Sequence, residues 1–599
     1  MERVDFSRVE ITGGFFKQKQ DMVRNVTAKA VYDRFCDTNR FDAFKLDKNG
    51  VEPHVFWDSD VAKWVEGVAY LTSKKREAEL EKIVDDLVLE IEKNQLECGY
   101  FNLHYVFTGK EHFVNRDHHE LYCLGHFIEA GVAYYLATGK RKLLDLMIKY
   151  VDYVEKRFVT LKDTGFTTPG HEEIELALIR LYEVTKDERH LKLSQFFVDE
   201  RGKKREDPKD YWCGGEYNQS HKGVREQDTA EGHSVRATYL YCAMADLAKK
   251  TGDVSLLNAC KALFDSIAGK RMYITGSIGS SNQSESFTLD YDLPNLTAYT
   301  ETCASIGLVL FAHRMLLLEN DSKYADVIER AIYNGIMSGI SLDGKGFYYT
   351  NPQELIPVLR ERNHCVYENR EYFPEPQRRE VFECSCCPPN MVRFIPSIAN
   401  LIYTTEGNTI YVHQFMESKA KLEIDGQSVE IEQKTNYPFD SKIEITVKGN
   451  ANVCVRVPEW CDTVKAEENG YNSYKIEGSG VICLDYEMTP YLVEANPKVT
   501  DGCGKCAIMK GPLVYCMEEI DNGKYLRDIT IPVNCQFKQG YDCDLDLPTI
   551  ELGAYRRKPT DKLYQRLRGN YTEITAKLIP YFAILNRGVG EMQIWHNIK

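Results

Sequence analysis

The sequence predicts an α+β protein of several domains, helical over its first two-thirds and β-rich over its C-terminal third. Its 599 residues exceed what a single hydrophobic core usually holds. Apolar residues recur at helical spacing up to about residue 403, and beyond Tyr403 they alternate with polar residues as in strands. Together these observations indicate a large helical domain followed by one or two β-sandwiches.

The helical region is a repeat of hairpins. Short polar connectors at 137–140, 184–187, 250–253 and 318–321 occupy the same place between two predicted helices. Such a repeat predicts stacked helix pairs, which can close into an (α/α)6 toroid or continue as an open solenoid; the spacing leaves both open. The predicted helices are Asp60–Leu71, Lys75–Glu92, His118–Ala137, Lys142–Val154, Glu172–Val184, Ser234–Lys249, Thr302–Leu318 and Tyr324–Ser338.

The C-terminal third alternates apolar and polar residues between glycine- and asparagine-containing turns, which is typical of strands in a sandwich. A short strand-like stretch near the N-terminus, Val9–Ile11, is expected to pair with these strands. The predicted C-terminal strands are Thr409–Met416, Lys421–Ile424, Val429–Glu432, Lys442–Val447, Ala451–Val457, Lys505–Tyr515 and Thr572–Ala583.

Composition narrows the classes of partner. A formal charge of −15 argues against binding to nucleic acid or to an anionic membrane, both of which need a cationic surface. The N-terminal stretch lacks the apolar core of a secretory signal, and no window approaches a membrane span. Without such a signal, the 19 scattered cysteines are best interpreted as reduced thiols. We therefore expect a cytoplasmic protein with no nucleic-acid or membrane partner.

The most specific local feature is the segment ECSCCPPN at 383–390. The vicinal Cys386 and Cys387 cannot easily form a disulfide with each other, but both can bind a metal as thiolates. Glu301 and Cys303, at the start of a predicted helix, would add one oxygen and a third sulfur, a tetrahedral set that zinc accepts. Buried free cysteines are the alternative interpretation.

Three histidines stand at the beginnings of helices in successive hairpins: His119, His171 and His233. One such histidine is usually a helix cap or a surface residue. In a helical toroid, however, equivalent helix starts converge on one mouth, so three in register predict a shared pocket. Glu285 lies in a polar, glycine-containing loop and is either a solvated carboxylate or a further site residue.

In these motifs the chain resembles glycoside hydrolase family 127, the β-L-arabinofuranosidases. The resemblance implies an (α/α)6 barrel over residues 13–403 and β-sandwich or β-rich domains over 404–504 and 505–599, with residues 1–12 contributing a strand. The motifs that carry it are HELYCLGH at 119–126, PGHEEIELA at 169–177, EGHSVR at 231–236, ETCAS at 301–305, FYYTNP at 347–352 and CCPPN at 386–390.

The resemblance also implies roles for individual residues. It implies Cys386 as nucleophile and Glu285 as acid/base. Cys384 departs from the simple pattern, because this extra thiol, flanked by Glu383, could compete for the metal. Zinc ligands and sugar-binding residues are implied at Glu301, Cys303, Cys386 and Cys387, and at His119, His171, His233 and Tyr349, the last with Tyr348 adjacent.

The function implied is that of a retaining exo-glycoside hydrolase. It would release L-arabinofuranose from small β-L-arabinofuranosides or oligosaccharides, and a homodimer is compatible with it. One alternative is an exo-glycosidase for another furanose, such as a branched acidic sugar of pectin, although the sequence places no extra Arg or Lys in the pocket. Another is a non-catalytic carbohydrate-binding protein with structural zinc, which would have no need of Glu285.

Overall fold

The computed structural model describes residues 1–203, 214–361, 370–566 and 569–599. As predicted from the change in periodicity, a helical region precedes the β-sheets. Twelve of the described helices alternate along the chain between an outer and an inner layer. They are α1 (Ala28–Asp37), α2 (Trp57–Lys74), α3 (Ala78–Asn94), α4 (Glu120–Thr138), α5 (Lys142–Glu155), α6 (Ile174–Thr185), α7 (Glu188–Glu200), α8 (Ser234–Thr251), α9 (Val254–Lys270), α10 (Thr302–Leu318), α11 (Ser322–Arg330) and α12 (Cys387–Ser397).

The helices close into a barrel and do not form an open solenoid. The inner helices α2, α4, α6, α8, α10 and α12 each pack on the next, and α12 returns to pack on α2. Inner helices such as α8 and α10 are buried on all sides, whereas outer helices such as α5 bury a single apolar stripe. This difference in burial follows from the two-layer arrangement and gives the (α/α)6 topology.

The predicted connectors join an inner helix to the next outer one. Gly139 and Gly252 end α4 and α8 in the left-handed region, with φ of 76° and 72°. Asp187, Asp253 and Asp321 begin α7, α9 and α11, and each accepts a hydrogen bond from a backbone amide of the first turn. The recurring Gly and Asp therefore mark the stop of one helix and the start of the next.

Two predicted elements differ from the structure. The segment 324–338 is α-helical only to Arg330; a π-helix, Ala331–Ile336, and a 3-10 turn, Met337–Gly339, follow it. The single strand predicted at 505–515 is a hairpin of two strands, because Gly511 adopts a φ of 54° and Pro512 cannot donate to the ladder.

The described strands form three sheets. Two five-stranded sheets, β1-β4-β5-β9-β10 and β11-β8-β7-β6-β2, make a sandwich, and a ten-stranded sheet contains the other described strands. The strands are β1 (Glu2–Arg3), β2 (Val9–Ile11), β3 (Glu354–Leu355), β4 (Tyr403–Glu406), β5 (Thr409–Val412), β6 (Ser418–Ile424), β7 (Gln427–Thr435), β8 (Lys442–Lys448), β9 (Ala451–Arg456), β10 (Tyr471–Ile476), β11 (Ser479–Asp485), β12 (Pro490–Val493), β13 (Lys505–Lys510), β14 (Leu513–Glu518), β15 (Ile529–Ile531), β16 (Phe537–Asp542), β17 (Leu547–Arg557), β18 (Tyr571–Pro580), β19 (Met592–Gln593) and β20 (His596–Ile598).

The N-terminal segment belongs to the sandwich, as predicted for Val9–Ile11. Strand β1 pairs with β4 in one sheet, and β2 pairs with β6 in the other. Between the sheets, Tyr403 Oη lies 3.0 Å from Ser418 Oγ and accepts a hydrogen bond from Gln433 Nε2 at 2.9 Å. Residues far apart in sequence thus close one β-domain.

The helical and β-rich parts share a core. Arg456 on β9 is fully buried, and its guanidinium binds Asp326 and Glu329 of α11. Strand β3, which lies between α11 and α12 in the chain, pairs with β19 of the third sheet. Every cysteine in the described ranges is a free thiol, and among those residues no helix is both long and apolar enough to cross a bilayer.

Candidate active site

The predicted site residues gather at one mouth of the barrel. His119, His233, Glu301 and Cys386 occupy the position just before the first residue of α4, α8, α10 and α12, and His171 lies three residues before α6. The beginnings of five successive inner helices therefore meet in one place. Helix N-termini carry partial positive charge, which favours carboxylates and thiolates there.

The three predicted cysteine ligands form a compact cluster. Cys303 Sγ lies 3.5 Å from Cys386 Sγ and 3.3 Å from Cys387 Sγ, and the two vicinal sulfurs are 3.5 Å apart. Glu301 Oε1 lies 3.6 Å from Cys386 Sγ. All four ligand atoms fall within 4.8 Å of one another.

This cluster fits a tetrahedral metal ion. In a tetrahedron with Zn–S bonds of about 2.3 Å, the sulfurs would stand about 3.8 Å apart, a few tenths of an ångström more than observed. Glu301 Oε2 is buried and has no hydrogen-bond partner. With only protein groups around it, burial and the neighbouring Cys386 hold the pKa of Glu301 well above its usual range. A bound cation would give Glu301 Oε2 a partner and would compensate the negative charge of the neighbouring carboxylate and thiolates.

Glu285 is held beside the cluster by two hydrogen bonds. His233 Nε2 lies 2.6 Å from one carboxylate oxygen, and the Tyr299 hydroxyl donates to the other. Burial would raise the pKa of Glu285, but His233, Tyr299 and the charge of Arg236 outweigh it and lower the pKa to about 2. A ligand oxygen of Glu285 also lies within 4.8 Å of one from Glu301, so this carboxylate adjoins the cysteine cluster.

The histidines form a row along the mouth. The ring centroids of His119 and His171 are 5.7 Å apart, and those of His171 and His233 are 5.6 Å apart. The predicted shared location is therefore present in the structure.

Backbone contacts assign the histidine tautomers. In His119 and His171, Nδ1 faces a backbone carbonyl, at 2.5 Å and 2.9 Å, so Nδ1 carries the proton. Burial lowers the pKa of His119 to about 3 and holds that of His171 well below its usual range, so both rings are neutral with Nε2 as an acceptor. His233 is the reverse: its Nδ1 accepts from two amides of α8, so Nε2–H donates to Glu285.

Of the two adjacent tyrosines, only Tyr349 faces the cluster. Its hydroxyl lies 3.9 Å from Cys384 Sγ, and its backbone oxygen accepts from the Thr302 amide at 2.9 Å. The Tyr348 hydroxyl instead donates to the Pro376 carbonyl, and its ring lies under Arg378. Cys384 is outside the four-residue cluster.

Sequence reasoning missed three residues of the site. Tyr299 binds Glu285, Tyr122 packs on His171 at 4.1 Å between ring centroids, and Arg236 donates to the Gly170 carbonyl next to His171. Tyr122 could have been found, because it lies three residues after His119 and so on the same face of α4. Tyr299 has no such signal, because it lies in an irregular loop.

Comparison with known proteins agrees with this architecture. Three family profiles match consecutive parts of the chain. The GH127 β-L-arabinofuranosidase catalytic domain matches residues 8–400, the GH127 middle domain 409–487, and the GH127 C-terminal domain 490–597. The non-reducing end β-L-arabinofuranosidase of Bifidobacterium longum subsp. longum is 34% identical over 607 residues, covering 90% of this chain and 89% of that protein.

Solved structures are similar over the whole chain. A GH127 β-L-arabinofuranosidase from Geobacillus stearothermophilus T6 superposes with a TM-score of 0.92 and 42% identity, covering 99% of this chain and 100% of that one. A second GH127 β-arabinofuranosidase gives a TM-score of 0.90 at 32% identity, covering 100% and 98%. The barrel, its mouth and these relatives define a glycoside hydrolase. Because the catalytic-domain profile alone spans well over half of its length, the chain belongs to glycoside hydrolase family 127.

Proposed function

We propose that this protein is a zinc-binding, retaining exo-β-L-arabinofuranosidase in which Cys386 is the nucleophile and Glu285 the acid/base. The observation that carries the proposal is the placement of the His233–Glu285 pair next to the cluster of Glu301, Cys303, Cys386 and Cys387. The β-L-arabinofuranosidase activity of the family 127 relatives supports the choice of sugar.

Substrate binding would use the neutral acceptors of the pocket. Nε2 of His119 and of His171 can each accept a hydrogen bond from a furanose hydroxyl, and the Tyr349 hydroxyl can donate or accept. Together they would fix the ring with its anomeric carbon toward Cys386, which supplies the orientation that displacement requires. Zn²⁺, when bound by Glu301 and the three cysteines, keeps the thiols ionised at neutral pH.

Two displacements complete the reaction. In the first, Cys386 Sγ attacks the anomeric carbon while Glu285 gives its proton to the departing glycosidic oxygen, so that a thioglycosyl bond forms as the glycosidic bond breaks. In the second, Glu285 takes a proton from water, whose oxygen displaces Cys386 and restores the original configuration. Glu285 is a carboxylate in the free protein, and a bound sugar that excludes water would favour the protonated form that the first step needs.

The alternatives receive less support. Two cations near the pocket already have protein partners, because Arg236 donates to the Gly170 carbonyl and the Tyr217 hydroxyl and Lys63 donates to the Tyr122 hydroxyl; neither therefore singles out an acidic sugar. A non-catalytic scaffold would not require a carboxylate held by His233 and Tyr299 beside a thiol cluster.

The test uses Glu285→Ala with a nitrophenyl β-L-arabinofuranoside. We expect the variant to retain one zinc per chain by elemental analysis and to accumulate a sugar adduct on the peptide that contains Cys386, detectable by mass spectrometry. Cys386→Ser should form no adduct, whereas Cys384→Ser, which removes the thiol outside the cluster, should still react. Sugar on Glu301 in the variant, sugar on Glu285 in trapped wild-type enzyme, inversion in wild-type turnover, or a metal-free active enzyme would each refute the mechanism.

A further inference from the structure

We propose that Arg40, together with Asp60, is a positioning residue that fixes the cysteine loop, defined as residues 382–386, for metal binding and nucleophilic attack. The inference rests on the proposed function, because it assigns a purpose to that loop's geometry. Arg40 lies before α2 and about 340 residues from the loop, and no motif of the sequence connects them.

Arg40 binds the cysteine loop through its backbone. Its Nη2 donates to the carbonyls of Phe382 and Glu383, at 2.9 Å and 2.8 Å. Its Nε donates to Asp60 at 2.9 Å, and its Nη1 to Thr38 Oγ1 at 2.7 Å. Each guanidinium nitrogen therefore has a partner, and the residue is only 2% exposed.

The guanidinium is also held in place by its surroundings. It lies over the rings of Phe35 and Trp57, with 5.1 Å and 5.4 Å from Cζ to the ring centroids. Asp60 stands on the first turn of α2, an inner helix that packs on α12, the helix that begins after Cys386. Arg40 thus connects the loop to the rigid barrel wall through Asp60.

The loop depends on this connection because it has little regular structure of its own. Residues 381–386 form neither helix nor strand. Within the loop, the Phe382 amide donates to Ser385 Oγ at 3.3 Å, and the Ser385 amide faces the Asp60 carboxylate. Arg40 binds the carbonyls of Glu383 and Phe382, which lie three and four residues before Cys386. A shift of these carbonyls would therefore move the sulfur of Cys386. Metal–ligand distances tolerate only about 0.2 Å, and a nucleophile is similarly sensitive to direction.

An arginine is required for this geometry. The guanidinium presents five N–H groups in one plane and can reach a carboxylate, a hydroxyl and two carbonyls at once. A lysine ammonium carries the same charge on one nitrogen, so it can keep the Asp60 pair but cannot also hold both carbonyls. Arg40→Lys therefore separates charge from positioning.

The experiment compares Arg40→Lys with Arg378→Lys, each in the full-length zinc-loaded protein. Arg378 is a matched control because it is another guanidinium that binds backbone carbonyls, those of Ser338 and Ile584, away from the cluster. Zinc is followed by its transfer to a chromophoric chelator, and kcat and KM are measured on a nitrophenyl β-L-arabinofuranoside.

We expect Arg40→Lys to weaken zinc binding by about 10–100-fold, as for other groups that orient metal ligands. It should lower kcat while KM stays within about twofold, because the histidines do not move. Arg378→Lys should change neither. If Arg40→Lys does not fold, Asp60→Asn, which removes the charged acceptor of Arg40, replaces it.

Zinc loss from Arg40→Lys at the wild-type rate, or at the rate of the Arg378→Lys control, would overturn the inference. A failure of the proposed function can be distinguished from a failure of the Arg40 inference. A wild-type protein that holds zinc but does not cleave the arabinofuranoside fails that proposal, and the zinc-transfer comparison still decides the role of Arg40. A folded wild-type protein that binds no zinc overturns both.

Discussion

Replacing Arg456 by methionine should destabilise the junction between barrel and sandwich by about 3–5 kcal/mol at pH 7, because it removes one partner of a buried ion pair. Arg456 is fully buried and binds Asp326 and Glu329, and its Nε donates to the His413 carbonyl at 2.6 Å. Methionine keeps most of the apolar contact with Phe415 but leaves two carboxylates without a cation.

The two buried carboxylates also set the pH dependence of this effect. Without Arg456, the uncompensated negative charge is most readily removed by protonation of Asp326, because burial already raises the pKa of this carboxyl to about 6 from 3.8. Each pH unit above the ordinary pKa of a carboxyl adds roughly 1.36 kcal/mol to the free energy of protonating it, so this protonation is easier at pH 5 than at pH 7. The loss should therefore shrink as the pH falls.

Urea unfolding at pH 7 and pH 5 measures this difference. Trp460 gives a local fluorescence signal, because its Nε1 donates to Glu329 at 3.1 Å. The first transition is the relevant one, since a chain of several domains need not unfold in two states. Adding Asp326→Asn and Glu329→Gln should recover part of the loss. A cost below about 1 kcal/mol at pH 7, or an equal cost at both pH values, would refute the reasoning.

Three further predictions follow from single contacts. His233→Asn should keep the cap of α8, because Asn is a favoured N-cap, but should lower kcat/KM because the hydrogen bond to Glu285 is lost. His233→Ala should lower kcat/KM and also lose about 1 kcal/mol of stability. Equal activity in the wild type and the Asn variant would contradict the role of this hydrogen bond. Tyr349→Phe should raise KM while Tyr348→Phe leaves it unchanged, and steady-state kinetics that show the reverse would exchange their roles. Burial raises the pKa of Asp58 to about 7, so the free energy of unfolding should fall as pH rises from about 4 to 7. Urea titrations should show a smaller fall in Asp58→Asn. An unchanged slope of unfolding free energy against pH would refute the assignment.

The sequence was sufficient for features that repeat or lie within one motif. The hairpin connectors with their Gly and Asp, the change of period at Tyr403 and the cysteine pair all have local signals. The motif residues Glu301 and Cys303 are likewise found in the structure beside Cys386, at the places where inner helices begin.

What the sequence could not predict is contact between residues that no motif or regular spacing connects. Arg40 reaches carbonyls more than 340 positions away, and Tyr299 reaches Glu285 from an irregular loop; neither contact has a period or a spacing that could reveal it. The missed hairpin at Gly511 has a different cause. The flanking strands are mainly apolar and almost wholly buried, so they resemble one hydrophobic run, although Gly511-Pro512 between them is itself a turn signal.

The pairing of β1 and β2 with β4 and β6 also orders events during synthesis. Residues 2–11 leave the ribosome well before their partners, which lie some 400 residues later in the chain. At about 5–20 residues per second, the early segment waits roughly 20–80 s with two unpaired strands. The whole barrel can form in that interval, but the sandwich cannot, so residues 2–11 are made before the barrel and reach their final positions after it. A fusion placed before residue 2, or a translational pause before residue 403, should therefore affect folding of the sandwich more than folding of the barrel.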